Sequence, residues 1–261
     1  MSPPPAPADA PRARRLLTLA PALALVALIV LAWQLYADSG RLAQDVLPSP
    51  ARVLDQGWQN RGELWDNTLP TLRATVIGFA FSLVVGFALS VAIDFSAIVR
   101  RAFMPLLIVS QTLPIIAIAP LVVIWFGFGL APKILLVALV TFFAITVSFT
   151  EGYRAAEPEA ERLLRSMGAS RWRVFRSVRL PTALPYFFAG LRISITYAVV
   201  GAIFAEYAGA ESGLGIYMQT AKNSFRTDLV LAAVGVSALL TLTLFALTYV
   251  AERIALPWTR A

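Results

Sequence analysis

The stretch LLTLAPALALVALIVLAWQLY, residues 16–36, runs without a charge for a length that crosses a lipid bilayer; about 20 apolar residues suffice for that. Comparable stretches recur at residues 75–93, 103–126, 133–150, 187–207 and 229–252. A chain built this way cannot cover a water-facing surface. Hydrophobic residues make up 58% and charged residues only 14%, against roughly 25% charged in a soluble domain. Within lipid each backbone N–H and C=O must find its partner inside the protein, so an isolated apolar run of this length closes its hydrogen bonds as a helix. The expected fold class is therefore an all-α membrane protein with six transmembrane helices.

The segments between the spans set the organisation. Residues 1–15 are rich in Pro and Ala and read as a disordered cytoplasmic start. Residues 16–36 exceed the roughly 7–15 residues of a secretory h-region, and no small-x-small site closes them, so they read as a retained first helix. A polar loop, with room for a short amphipathic helix, is expected over 37–67, a core of five helices over 68–255 with a polar loop at 151–185, and a short tail at 256–261. Residues 103–126 carry Pro105, Pro114 and Pro120. A kinked helix lining a path and a kinked packing helix both fit them. Six spans put both termini on one side. That side would hold fourteen basic residues against six on the other, with Arg73 and Arg192 at span edges. Cytoplasmic termini follow from this imbalance. It also accounts for the net charge of +7 without nucleic acid.

Several chemistries lack their residues. The chain has no Cys and no His, which removes thiolate nucleophiles, disulfides, the commonest general base and the usual soft metal ligands. No carboxylates cluster inside a span, so an integral-membrane enzyme has little to work with. No catalytic residue, metal site or bound cofactor is expected. Asp94, Glu206 and Asp228 fall at span ends, whereas ion-coupled transporters hold ionisable groups near the midplane; an ion-coupled secondary transporter is the weaker alternative. No G-x-x-x-x-G-K-[ST] loop occurs, so nucleotide phosphates have no cradle of that kind here.

The loop at 151–185 reads as two short helices. Pro158 suits a first helical position, with Glu157, Glu159 and Glu161 at the positive end. Ala160, Leu163, Leu164 and Met167 recur at helical spacing as one apolar face. Gly168 ends the helix and, after Ala169, Ser170 caps a second. There Trp172, Phe175 and Val178 share a side beside Arg171, Arg173, Arg176 and Arg179. Pro181 and Pro185 are expected to break that helix before the next span. Such a basic amphipathic element either lies on lipid headgroups or docks in a groove of a cytoplasmic partner.

The stretch GASRWRVFRSVRLPTALPYFFAGLRI, from Gly168 onward, resembles the signature of membrane permeases in bacterial ATP-binding-cassette importers. That signature reads Glu-Ala-Ala, three residues, Gly, nine residues, then Ile-x-Leu-Pro. Gly168, Val178, Leu180 and Pro181 match its spacing. Arg162, Leu163 and Leu164 stand where Glu-Ala-Ala would, with Glu161 one place early. The resemblance, over roughly residues 68–255, implies the type I importer permease fold. It implies that residues 157–170, with Glu159, Ala160, Leu163, Leu164, Met167, Gly168, Ala169 and Ser170, form a coupling helix seated on a separate ATPase that uses ATP-Mg. It further implies a homodimer with a second permease chain and an extracytoplasmic substrate-binding protein.

The stretches LPIIAIAPLVVIWFGFGLAPK and AEYAGAESGLGIYM resemble the branch importing nitrate, sulfonates, taurine and thiamine-pyrimidine precursors. LLRSMGASRWRVF and KNSFRTD are most similar to permeases of the thiamine-precursor and riboflavin type, which implies a small heteroaromatic cargo. Candidate pathway residues are Gln111 and Thr112, which offer hydrogen bonds, Trp125, which can stack a flat ring, and Glu206 and Tyr207 at the outer end of span five. Trp125 also suits an interfacial aromatic belt, Glu206 a snorkelling carboxylate or a partner contact, and Arg192 a lipid-phosphate anchor.

Overall fold

The computed structural model describes residues 12–260, with side chains over 20–258. All regular structure among these residues is helical. The expected start at 1–15 lies outside the described residues up to residue 11, and helix α1, Arg12–Asp38, already includes 12–15. Five helices are long and apolar enough to cross a membrane, and a sixth span forms if one bent pair is taken together.

Three spanning helices make the centre: α3 (Arg61–Phe95), α6 (Leu130–Arg154) and α9 (Leu180–Tyr207). Small residues let them approach. A Cβ on Gly190 of α9 would sit 2.1 Å from Ser148 Oγ of α6, so only glycine permits this contact. Several hydroxyls in the packed layer are closed within their own helices. Thr75, Thr141 and Thr150 lie in the core and each hydroxyl donates to the carbonyl four residues back, which satisfies them without water. Helix α11 (Thr227–Ala255) packs along α9, and α10 (Leu214–Asn223) fills the end between α3, α9 and α11. Helix α1 leans on α2 (Pro50–Gln59) and, over residues 20–38, leaves nearly all of its apolar side chains exposed.

The boundaries differ from the sequence expectation in three places. The loop over 37–67 holds the short helix α2 in its middle, and it is shortened because α3 begins at Arg61 rather than near residue 75. At about 1.5 Å per residue, 35 residues reach about 52 Å, beyond a hydrocarbon core of about 30 Å. The added turns are polar on one side and hold Leu64 against Leu214 and Ala233 on the other. The span at 103–126 is two helices, α4 (Ala97–Thr112) and α5 (Ile115–Phe126), bent by 104°. Pro114 drives Leu113 out of the helical region, to φ −76° and ψ 123°, by the clash of its ring with the preceding residue. Pro105 and Pro120 remain inside helices.

The third difference concerns Pro181 and Pro185, which break nothing. Helix α8 (Arg171–Val174) continues through a π-turn, Phe175–Arg179, into α9 as one 37-residue rod. The Leu180 N–H reaches back to the Phe175 carbonyl, and this wider turn relaxes the ladder just before Pro181. Thr182 Oγ1 donates to the Val178 carbonyl at 2.8 Å.

Candidate functional site: an amphipathic elbow and an apolar cavity

Helix α7, Pro158–Ser166, stands off the bundle between α6 and α8. None of its residues is buried. Leu163 is 62% exposed and Met167 73% exposed, with Ala160 and Leu164 half-covered beside them, so the apolar face has no core behind it. The helix ends where expected. Gly168 has φ +80°, its N–H donates to the Arg165 carbonyl, and the Ala169 N–H donates to the Leu164 carbonyl. These two bonds close the last turn as a Schellman motif. Ser170 Oγ then accepts from the Arg173 N–H at 3.3 Å and starts α8.

The elbow is seated by aromatic rings. Phe175 is buried, 5.3 Å from the Phe95 ring and 5.2 Å from the Tyr153 ring. Trp172 stacks on Phe175 at 5.4 Å, and the Arg171 guanidinium lies 5.2 Å over Phe95. Val178 and Leu180 are half-buried beside this cluster. Arg179 joins three elements. Its Nε and Nη2 donate to the two Glu161 oxygens at 2.6 and 2.8 Å, and its Nη1 donates to Asp94 at 2.7 and 3.0 Å. This guanidinium holds the Glu161 carboxyl below its ordinary range.

A cavity of about 570 Å³ opens within the apolar part of the bundle, between the α4–α5 break, α6 and α9. Ser110, Gln111, Phe143, Ser148, Tyr197 and Phe204 are among its walls, and no charged residue lines it. Of the sequence candidates only Gln111 reaches it. The Thr112 hydroxyl turns back to the Val109 carbonyl at 2.8 Å. Trp125 is 68% exposed and is not in the wall of this cavity. Tyr207 borders a separate small hollow with Ile116 and Phe204, and its hydroxyl donates to Met218 Sδ at 3.6 Å. Tyr197, Phe143 and Ser148 were missed because every face of α6 and α9 is apolar, so no period marks the face turned to the cavity.

Glu206 is neither exposed nor snorkelling. It is fully buried, accepts from the Gly215 N–H at 2.8 Å and Thr71 Oγ1 at 2.9 Å, and lies 3.4 Å from Lys133 Nζ. Lys133 Nζ also donates to the Ser212 carbonyl. The carboxylate thus clamps the turn 208–215 to α3, α6 and α9. Beside it a second cavity, of about 550 Å³, lies at this end of the bundle with Asp66, Arg73, Lys133 and Glu211 in its wall. Arg192 is no free lipid anchor either; it pairs with Glu252 of α11.

A model of the family described as binding-protein-dependent transport system inner membrane component matches residues 64–259. The chain is 38% identical over 243 residues to the riboflavin transport system permease protein RibX of Chloroflexus aurantiacus, with 91% of each chain covered. It is 36% identical to the formylaminopyrimidine transport permease protein ThiX of Halalkalibacterium halodurans, covering 82% of this chain and 86% of that one. It is equally 36% identical to the putative aliphatic sulfonates transport permease protein SsuC of Escherichia coli, with 89% of each covered. Among solved structures, the MetNI methionine ABC transporter in an inward-facing conformation superposes with TM-score 0.63 at 19% identity, over 76% of this chain and 96% of that one. An amino acid ABC transporter with histidines gives 0.62 at 16%, over 75% and 95%.

Proposed function

Because this chain belongs to the family of binding-protein-dependent transport system inner membrane components, we propose that it forms half of an ATP-driven import pathway and receives its work through α7. It is an ABC importer permease, a multi-pass protein of the inner membrane. In this reading both termini are cytoplasmic, two copies enclose the path, and a separate ATPase and an extracytoplasmic binding protein complete the machine. The observation that carries the reading is the apolar face of α7, with Leu163 and Met167 exposed and Leu164 half-covered beside them, on a nine-residue helix. A short helix with an unpartnered apolar stripe is the shape that seats in a groove. Glu159, Gly168, Ala169 and Ser170 would frame that contact.

The cargo that fits the cavity best is a small neutral heteroaromatic nutrient of the thiamine-precursor or riboflavin class. Rings of Phe143, Tyr197 and Phe204 can stack a flat molecule, and Ser110, Gln111 and Ser148 supply donors and acceptors. A sulfonate, taurine or nitrate ion would lie there without a countercharge, which is costly in apolar surroundings. The sulfonate permease relative favours the anion as the second reading, for which Arg73 in the outer cavity would be the countercharge.

The test is uptake into proteoliposomes that hold the chain, the ATPase and the binding protein. Labelled riboflavin and formylaminopyrimidine should accumulate with ATP, and taurine should not. Uptake that continues with a hydrolysis-dead ATPase rejects the importer reading; taurine uptake alone rejects the cargo. Leu164→Asp should abolish co-purification with the ATPase while leaving the bundle folded.

A further inference from the structure

Among the described residues, every ion pair that ties α7 to a spanning helix passes through Arg179. Without it α7 is attached by its two chain connections, one at Ala155–Glu157 and the other at Gly168, and packs chiefly on short α8. Such an element could swing without moving anything else. Arg179 removes that freedom. Its fork takes both oxygens of Glu161 and, from another nitrogen, both oxygens of Asp94 on the last turn of α3. The Asp94 side chain is 7% exposed and that of Glu161 14% exposed, so water competes weakly for these bonds. The backbone of Arg179 itself lies in the π-turn that leads into α9. A lysine would offer a single point charge and could not hold both carboxylates in fixed directions.

We propose that Arg179 is a positioning residue for transport: it makes α7, α3 and α9 move as one body, so that a displacement imposed on α7 reaches the cavity wall. The route is short in structural terms. Helix α9 carries Ile193, Tyr197, Val200 and Phe204 into that wall, and α3 is packed against α6, which supplies Phe143 and Ser148. A packed core passes on a rigid displacement because it does not deform continuously. The inference rests on the importer reading above, and its test separates the two.

The test uses the full chain assembled with its ATPase in lipid nanodiscs. The native chain has no cysteine, so introduced ones report cleanly. Spin labels on Ser166→Cys and Ala92→Cys measure the distance from α7 to α3. In a separate variant of the full chain, Ser110→Cys alone reports cavity access through its rate of modification by a charged thiol reagent. Both are read without nucleotide and after trapping with MgATP and vanadate. With Arg179 in place the distance stays the same in both states, and the modification rate changes by about tenfold or more. With Arg179→Ala the distance shifts on trapping, and the rate changes by less than about twofold. Glu161→Gln, which leaves Arg179 and Asp94 paired, should give the same pattern and decides the matter if the alanine variant misfolds. A native response in these variants overturns the clasp. No response to trapping even with Arg179 present overturns the importer reading, and the clasp with it.

Discussion

Replacing Glu206 by alanine should be among the most destabilising single changes in this chain. The carboxylate is fully buried and accepts at 2.8 Å from the Gly215 N–H and at 2.9 Å from Thr71 Oγ1, with Lys133 Nζ at 3.4 Å. Each hydrogen bond to a charged group contributes roughly 1.5–3 kcal/mol, but the three share one acceptor and do not add. The better bound is the cost of breaking a buried ion pair by removing one partner, about 3–5 kcal/mol. Lys133, only 7% exposed, would keep the Ser212 carbonyl at 2.9 Å as its remaining bond. Glu206→Ala should therefore cost about 3–5 kcal/mol. Glu206→Gln still fills the site and accepts from Gly215, so it should cost less, about 2 kcal/mol. Removing both charges, in Glu206→Gln with Lys133→Met, should cost less than the sum of the single changes. Reversible unfolding of the protein in detergent micelles, followed by tryptophan fluorescence, measures all three. An alanine variant within about 0.5 kcal/mol of the native chain would refute the buried clamp.

The two turn glycines should separate backbone strain from collision. Gly168 and Gly213 both have φ in the left-handed half of the map, at +80° and +133°, but a Cβ on Gly168 meets nothing within 4 Å whereas one on Gly213 falls 2.1 Å from Glu206 Cδ. Gly168→Ala should cost about 1–2 kcal/mol and Gly213→Ala clearly more in the same unfolding assay; equal costs would contradict the packing described. Phe175→Ala, which empties the centre of the ring cluster under the elbow, should cost about 3–5 kcal/mol and free α8 for proteolysis. The Glu161 carboxyl is held below its ordinary range by Arg179, so its contribution is full above the unfolded value near 4.5 and is lost as pH falls through the lower folded value. The distance between labels at 166 and 92 should therefore hold from neutral pH to about 5 and change only in stronger acid; a change near pH 6 would refute the assignment.

Much of the elbow was legible in the chain because its signals are local. Pro158 at the first helical turn, the apolar spacing from Ala160 to Met167, Gly168 at the stop and Ser170 at the next cap act within a few residues of one another. The family signature lies on the same stretch. The pathway candidates fared unevenly for a physical reason. Gln111 faces the cavity and Thr112, one residue on, does not, since successive helical residues point about 100° apart and an apolar span carries no polar face to orient the reading. Pro181 looked like a break because a proline usually ends a water-exposed helix, yet a single wider turn before it keeps the rod continuous.

The order of apolar runs determined that this chain crosses a membrane as helices, since backbone groups in hydrocarbon have no other way to be satisfied. Composition likewise determined that thiol and imidazole chemistry are absent. Only the folded bundle decided which charges are paired. Glu206 meets Lys133 across 73 positions, Arg179 meets Asp94 across 85, and Arg192 meets Glu252 across 60. Burial of a charge depends on which helix faces which, and that choice is made by close packing of small residues between spans whose own sequence is apolar on every side.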